Sequence, residues 1–417
     1  MNKITFISPG VRYLTRSYSQ PLGVLYLVSY VRKKFPEKFK FDLIDQAIAD
    51  LTSEQVLEEV KKINPDIVGF SCLSLDADQM QEIAGLIKKA LPDCLIFLGG
   101  PYASVFYDQA LERTNIDIVI IGEGEKTFAE LIQRFLDKQP LDNVKGTAYK
   151  KDGKIILAPP RELVDNLDSL PFPAWDLIDF KKYSKLPSMN LYSAAKPWSI
   201  IFTSRGCPYH CLYCHNIFGK KARFRSAENV IEEIEILTKK YGVKEIQIVD
   251  DVFNLDLNRA KKICDLIVDR GIKIKICFPN GVRADRMDRE LIKKLKNAGC
   301  YSVTCAIETA SLRLQKEINK NLDLDRVKQV IAWLDEEGII THGFCMLGFP
   351  GETEEEMEMT IKYATNSRLM VAIFFTVVVY PKTKIFEYAR KVYTDFNFNQ
   401  QDYSHFFIGP ENHFIRG

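Results

Sequence analysis

The first 200 residues contain no histidine; all five histidines lie at position 210 or beyond. Whatever the front of the chain binds, it cannot offer an imidazole there as a metal ligand or general base. Charge of one sign is also missing. The 57 basic and 55 acidic residues leave a formal net charge of +2 with no long run of either, so nothing supports a polyanionic partner and no nucleic acid is expected. The longest apolar runs, such as "VAIFFTVVVY" (371–380), are too short to span a bilayer as a helix, so no membrane span is expected. The opening "MNKITFISPG" has one early lysine and no apolar stretch of signal-peptide length before Pro9, which points to a cytoplasmic location. Low-complexity segments and short-period repeats are absent.

Cysteine, by contrast, is plentiful. Ten in a chain with this start argue against a disulfide framework. Seven are scattered, at Cys72, Cys94, Cys264, Cys277, Cys300, Cys305 and Cys345. Cys207, Cys211 and Cys214 are clustered within "SRGCPYHCLYCHN" (204–216).

The rest of the sequence alternates. "ITFIS" (4–8), "FDLID" (41–45), "DIVGFSCL" (66–73), "CLIFLGG" (94–100) and "IDIVIIG" (116–122) are apolar on both faces, as strands of a covered parallel sheet are. Helical patterns separate them at 21–34, 53–62, 77–90 and 125–137. The expectation is an α/β fold, with a Rossmann-like doubly wound parallel sheet over residues 1–140. A hairpin at 146–158, turning at Asp152-Gly153, and a Pro- and aromatic-rich linker at 167–183 strapped against the next domain fill 141–195. Strands at 199–204, 245–250, 273–278, 302–307, 340–347 and 371–379, with helices at 226–240, 257–270, 288–298, 323–337 and 353–366, predict a partial (β/α)6 TIM-like barrel over 196–385. A short capping tail, 386–417, follows. In "YSVTCAIE" (301–308), alternation puts Tyr301, Val303, Cys305 and Ile307 under the helices, and Ser302, Thr304, Ala306 and Glu308 toward the lumen. Glu308 then ends its strand at the carboxyl side, where barrel active sites lie.

The Cys-x3-Cys-x2-Cys spacing follows the first barrel strand. Thiolates suit zinc and iron–sulfur clusters. A structural zinc wants four ligands, and His210 or His215 can complete such a set. A [4Fe–4S] cluster held by three cysteines instead leaves one iron open to a substrate or cofactor.

With Tyr213 directly before the third cysteine, this loop resembles that of the radical S-adenosylmethionine (SAM) enzymes. "VDDVF" (249–253), "NGVRAD" (280–285), "AIETAS" (306–311) and "LGFPGET" (347–353), at successive strand ends, resemble the branch that includes methylthiotransferases and cobalamin-dependent members. The resemblance implies that Cys207, Cys211 and Cys214 hold a [4Fe–4S] cluster whose open iron chelates SAM. It further implies that Tyr213 packs near the adenine and that Asp250, Asp251, Asn280 and Glu308 line the SAM site. One electron from the cluster then breaks the sulfonium bond and gives a 5′-deoxyadenosyl radical. Where the family often has "PGT" after the last strand, this chain has "PKT" (381–383), which puts the turn at Lys382 in question. The substrate-shaping region after it is expected to be short.

In the front domain, Ser71 and Leu73 of "SCL" end the third strand, and Gly99-Gly100 end the fourth. Gly122, Glu123 and Gly124 of "GEGE" end the fifth and open a helix. Glycines at successive carboxyl strand ends let a ligand approach the backbone. With "PLGVLYL" (21–27) and "GGPYAS" (99–104), these motifs resemble the cobalamin-binding domain fused ahead of radical SAM barrels. The Asp-x-His-x-x-Gly motif that would ligate cobalt from below is missing, and Tyr102 stands where the family often has histidine. A dinucleotide G-x-G-x-x-G fingerprint is also absent.

The resemblance implies a cobalamin-dependent radical SAM enzyme, most commonly a methyltransferase acting on an unactivated carbon. The deoxyadenosyl radical would abstract a hydrogen, methylcobalamin would supply the methyl group, and a second SAM would remethylate the cobalt. Radical cyclisation, rearrangement or oxidation is an alternative, and a non-catalytic cobalamin or iron–sulfur sensor is another. The expected partners are a small-molecule substrate and an electron donor such as flavodoxin or ferredoxin.

Overall fold

The computed structural model describes residues 1–393 except 11, 13–16, 114, 215 and 216. His215, His405, His413 and the tail from 394 therefore lie outside the described residues. The chain divides into two compact units, Met1–Leu186 and Pro187–Gly417. Among the described residues no helix is long and apolar enough to cross a membrane.

The first unit is built on strands β1 (Asn2–Ser8), β2 (Phe39–Asp45), β3 (Ile67–Ser71), β4 (Leu95–Gly99) and β5 (Ile118–Ile120), extended by the hairpin β6 (Thr147–Lys151) and β7 (Lys154–Leu157). The order is β2-β1-β3-β4-β5-β6-β7, parallel through β5 and antiparallel after it. Because the strands are apolar on both sides, both faces are covered. Ile7, Val68, Met80, Ile83 and Leu98 anchor one core, and Ile4, Phe6, Val28, Phe97 and Phe128 the other. Each such side chain contributes about 1.5–3 kcal/mol on burial. The order reverses between β1 and β3, so the ligand crevice of this unit lies at their carboxyl ends.

Three features differ from expectation here. The hairpin is not a separate element but the antiparallel edge of this sheet. The helix Pro101–Arg113 was hidden by its "GGPY" start, which reads as a loop, although proline is well tolerated in the first helical turn. The aromatic linker straps onto the sheet it follows. Ala174 N donates to Leu25 O at 3.1 Å, Arg32 pairs with Asp176, the Tyr183 hydroxyl donates to Asp45 at 2.6 Å, and Trp175 is buried.

The second unit carries β8 (Trp198–Ile201), β9 (Glu245–Ile248), β10 (Lys275–Val282), β11 (Cys300–Glu308), β12 (Ile340–Leu347) and β13 (Val371–Thr376). They lie in sequence order and all parallel, with β8 and β13 as the two edges among the described residues. The following helices start on side-chain caps. Ser226, Asp256, Asp288, Ser311 and Asp323 each accept from the backbone three residues on, and Thr353 forms a capping box with Glu356. Each cap contributes about 1 kcal/mol and fixes where a strand-end loop stops.

The alternation in β11 holds for Ser302 and Thr304, which share a face with Gln247 and His342 through the register. It fails for Tyr301. A ladder shift between Ile276 and Cys277 turns that residue toward Cys277, and its hydroxyl donates to Tyr192 O and accepts from Asn190 Nδ2. A second shift, between Ala306 and Glu308, leaves Glu308 at φ 68°. Lys382 also sits in the left-handed region, at φ 64°, so the turn keeps the glycine-like conformation with a lysine in place.

Candidate cofactor sites

The cysteine loop leaves the carboxyl end of β8. Gly206, immediately before Cys207, has φ 87°, and a Cβ there would come within 2.4 Å of Lys221 O. Only glycine fits, because the returning arm of the loop runs directly against it. The loop is held from several directions. Gly206 N donates to Asp251 Oδ2 at 2.9 Å, Cys207 N to Gly219 O at 3.3 Å, Cys214 N to Cys211 O at 3.3 Å, and Leu212 N to Ile318 O at 2.9 Å. Asn319 Nδ2 donates to His210 O at 3.1 Å, tying the segment after Leu312–Glu317 to the loop.

Burial raises the Cys207 thiol above its ordinary range. Cys214 keeps solvent contact but is crowded by protein, and burial pushes it up to about 11, with nearby Cys211 and Cys207 adding to the rise. Cys207 and Cys214, held toward the thiol form, are donors whose protons a bound cationic centre would expel. Thiolates on one short loop are the donors a four-iron cluster takes, each binding a different iron, so the donor chemistry fits a cluster.

The acidic strand-end residues divide by what they touch. Asp250 is buried and engaged. Its carboxylate accepts from Thr203 N and Ser204 Oγ, each at 2.6 Å, and from Thr203 Oγ1, with Arg259 Nη2 at 3.8 Å. Asp251 braces Gly206, and burial raises its pKa. Asn280 Nδ2 donates to Val249 O and Asp250 O, fastening the end of β9. Glu308 comes to the cysteine loop itself. Its Oε1 accepts from the Tyr213 hydroxyl at 3.1 Å and from Lys320 Nζ at 3.2 Å. The Tyr213 ring meets Phe349 edge-on at 6.0 Å, and Phe349 N donates to Glu352 Oε2 at 3.0 Å. Loops from three strand ends thus meet around Tyr213. Lys320 and Arg259 escaped sequence reading because each follows its carboxylate across an irregular strand-end loop, where no helix or strand period predicts a contact. The flanking Asn319 and Asn321, both in the left-handed region, were the one available signal of a tight turn presenting Lys320.

In the first unit the carboxyl ends of β3 and β4 interlock. Cys72 N donates to Gly99 O at 3.2 Å and Tyr102 N to Cys72 O at 3.1 Å. At Gly100, φ 93°, a Cβ would meet Cys72 N and O at 3.0 Å, so the second glycine closes this joint. Ser71 ends β3, and Leu73 is exposed beside it, leaving apolar surface at the crevice. Gly122 N donates to Ser104 Oγ at 3.0 Å, while Glu123 Oε2 accepts from Val164 N and so faces the linker. Gly124 caps the helix Glu125–Leu136. Tyr102 is buried and stacks on Phe106 at 5.3 Å.

Comparison with known proteins matches residues 201–364 to the radical SAM superfamily and residues 14–132 to the B12 binding domain. An uncharacterised methyltransferase of Pyrococcus horikoshii is 33% identical over 93% of this chain and 83% of its own length. The cytidylyl-2-hydroxyethylphosphonate methyltransferase of Streptomyces wedmorensis is 30% identical over 78% of this chain, which spans 66% of that protein. The radical SAM methyltransferase TsrM of Kitasatospora setae, solved with cobalamin and a [4Fe–4S] cluster, shares the fold at a TM-score of 0.77 and 18% identity, over 92% of this chain and 74% of its own. With a B12-binding sheet ahead of a radical SAM barrel, and the P. horikoshii protein matched over most of both chains, this chain belongs to the cobalamin-dependent radical SAM proteins, whose cofactors are a [4Fe–4S] cluster, SAM and cobalamin.

Proposed function

We propose that this chain is a methyltransferase of that family, acting on an unactivated carbon of a small-molecule substrate in the cytoplasm. The observation that carries the reading is a loop with three cysteines, rather than four, braced at the carboxyl end of β8. Cys207, Cys211 and Cys214 hold the cluster and leave one position for SAM. Tyr213 forms a fixed wall of that position, kept in place by Phe349 and Glu308. Glu308 offers a carboxylate to SAM, Asp251 holds the loop in shape, and Asp250 and Asn280 fasten the neighbouring strand ends. When bound, the cluster, SAM and cobalamin together supply the electron, the radical and the methyl group. In the first unit the backbone at Ser71, Gly99, Gly100 and Gly122 to Gly124, with exposed Leu73, receives cobalamin at the crevice. No histidine of this unit takes part, since it has none.

The test is anaerobic purification with iron, sulfide and cobalamin analysis, followed by incubation with SAM and a reductant. The full chain should bind about four irons and four sulfides and release 5′-deoxyadenosine. Cys207→Ala, Cys211→Ala and Cys214→Ala should each lose the cluster. A full cluster and normal SAM cleavage in any one of them would refute the ligand assignment.

A further inference from the structure

The inward face of the second sheet changes character along its strands. Toward the carboxyl ends, Ala306 of β11 and Phe344 and Met346 of β12 present partly accessible apolar surface. Deeper in, Gln247 of β9, Ser302 of β11 and His342 of β12 share that face through the ladder register, and each is no more than 1% exposed. Barrel interiors at this depth are ordinarily filled by Val, Ile and Leu. Here Gln247 Oε1, Ser302 Oγ and His342 Nε2 are shut off from solvent with no hydrogen-bond partner among the described residues. The amino end of the barrel is closed beneath them. The Tyr192 ring meets His342 edge-on at 6.3 Å and lies 5.8 Å from Tyr301, whose hydroxyl is tied to Tyr192 O and Asn190 Nδ2. Glu245 is already engaged at this end. It accepts from Ala195 N at 2.9 Å and from Gln247 Nε2 at 2.8 Å, which fixes the Gln247 amide and leaves its Oε1 as a spare acceptor.

A buried polar atom without a partner destabilises the fold, and three on one face do so together. An apolar cleft that ends in a few placed polar groups is also how a small-molecule site fixes the orientation of its ligand. The floor favours a neutral ligand group. Burial holds His342 below its ordinary pKa and Glu245 above its own, so both are biased toward their uncharged forms, and an ion brought to this depth would lose its hydration. We propose that Gln247, Ser302 and His342 bind the neutral polar end, a hydroxyl or N–H group, of an elongated substrate whose apolar body lies against Ala306, Phe344 and Met346. The proposal rests on the reading that this chain methylates a small molecule at the carboxyl ends of these strands, and it narrows the substrate class. Four residues of β11 separate Thr304, level with His342, from Glu308. At about 3.3 Å per residue, the polar end and the methylated carbon are about 13 Å apart. The three residues set specificity and position, and none touches the reacting carbon.

Calorimetric titration of the full chain, with its cluster assembled anaerobically and cobalamin and SAM added, tests this with fragment probes. Phenol and toluene have the same size and shape and differ in one hydroxyl, and benzoate adds a charge. The parent should bind phenol about tenfold more tightly than toluene, the worth of one hydrogen bond made to an otherwise orphaned acceptor, and benzoate more weakly than either. Ser302→Ala should weaken phenol about fivefold and Gln247→Met about tenfold, with toluene unweakened in both. Ser302 Oγ has no partner to lose among the described residues, so Ser302→Ala should melt no lower than the parent, which separates the binding result from folding. Phenol and toluene binding alike to the parent, as they would if ordered water filled the floor permanently, overturns the proposal. So does a phenol preference that survives both substitutions together, equal weakening of both probes, or benzoate bound as tightly as phenol. A parent that assembles no cluster and cleaves no SAM overturns the functional reading and the substrate assignment with it. A full cluster and normal SAM cleavage, with no preference between the probes, removes the polar floor alone.

Discussion

Adding one methyl group at Gly206 gives a sharp test of how the cysteine loop is built. In Gly206→Ala the new Cβ would lie 2.4 Å from Lys221 O, 3.1 Å from Phe218 O and 3.2 Å from Gly219 O. The backbone would also have to hold φ 87° with a side chain attached. The left-handed conformation costs about 1–2 kcal/mol for a residue with a Cβ. Overpacking adds about 1–3 kcal/mol, and here the neighbours are backbone carbonyls that cannot rotate away. The sum is about 2–5 kcal/mol, concentrated where Cys207 leaves the strand. Gly242→Ala is the control, because Gly242 has φ 68° but nothing within 4 Å of its Cβ, so it carries only the conformational part. The assay is iron and sulfide per chain after anaerobic reconstitution, with thermal unfolding alongside. At about 2–4 °C per kcal/mol for a unit of this size, Gly206→Ala should melt several degrees below Gly242→Ala and load little cluster. If it loads iron and sulfide like the parent and melts no lower than the control, the crowding described at this turn is wrong.

Two further outcomes follow from buried carboxylates. Burial raises Glu352 to about 7 against an ordinary 4.5, despite donation from Gly348 N and Phe349 N. Between these values the folded chain keeps a proton that the unfolded chain has lost, so this group's contribution is intact below about pH 4.5 and is lost as pH rises through 7. Allowing for its partial solvent contact, the loss is on the order of 1–2 kcal/mol, and Glu352→Gln should remove that much of the decline when urea unfolding is compared at pH 5 and pH 8. Asp250→Ala strips the acceptor from Thr203 and Ser204 and leaves Arg259 buried without its carboxylate. It should lower unfolding stability by about 3–5 kcal/mol in denaturant titration, and Asp250→Asn by less, whereas an unchanged midpoint would show that this network contributes no net stability.

Much of the architecture was legible because its signals are local. Strands apolar on both faces announce a covered parallel sheet, and the Ser, Asp and Thr caps mark where the helices of the second unit begin. Cysteine spacing and strand-end glycines are local in the same way. What was not legible depends on distance or on a single ladder shift. The "GGPY" start hid a helix because its glycines outweigh its proline in a reading by composition. The linker at 167–183 gave no sign of which unit it would cover, because aromatic residues bury against any apolar face. No regular spacing links Asp250 to Arg259, which sits on the helix that follows Asp250's own strand-end loop. Tyr301 departs from simple alternation because alternation assumes an unbroken ladder, and here it breaks between Ile276 and Cys277.

That break and its counterpart before Glu308 make β11 intolerant of length changes. Removing or inserting one residue between Val303 and Ala306 would exchange the inward and outward side chains along the stretch, driving Cys305 into the interior and Thr304 under the helices. It would also rotate the carboxylate that meets Tyr213 away from the cysteine loop. Over evolutionary time, the neighbouring loops can lengthen or shorten as substrates change, while this strand is free to vary by replacement alone.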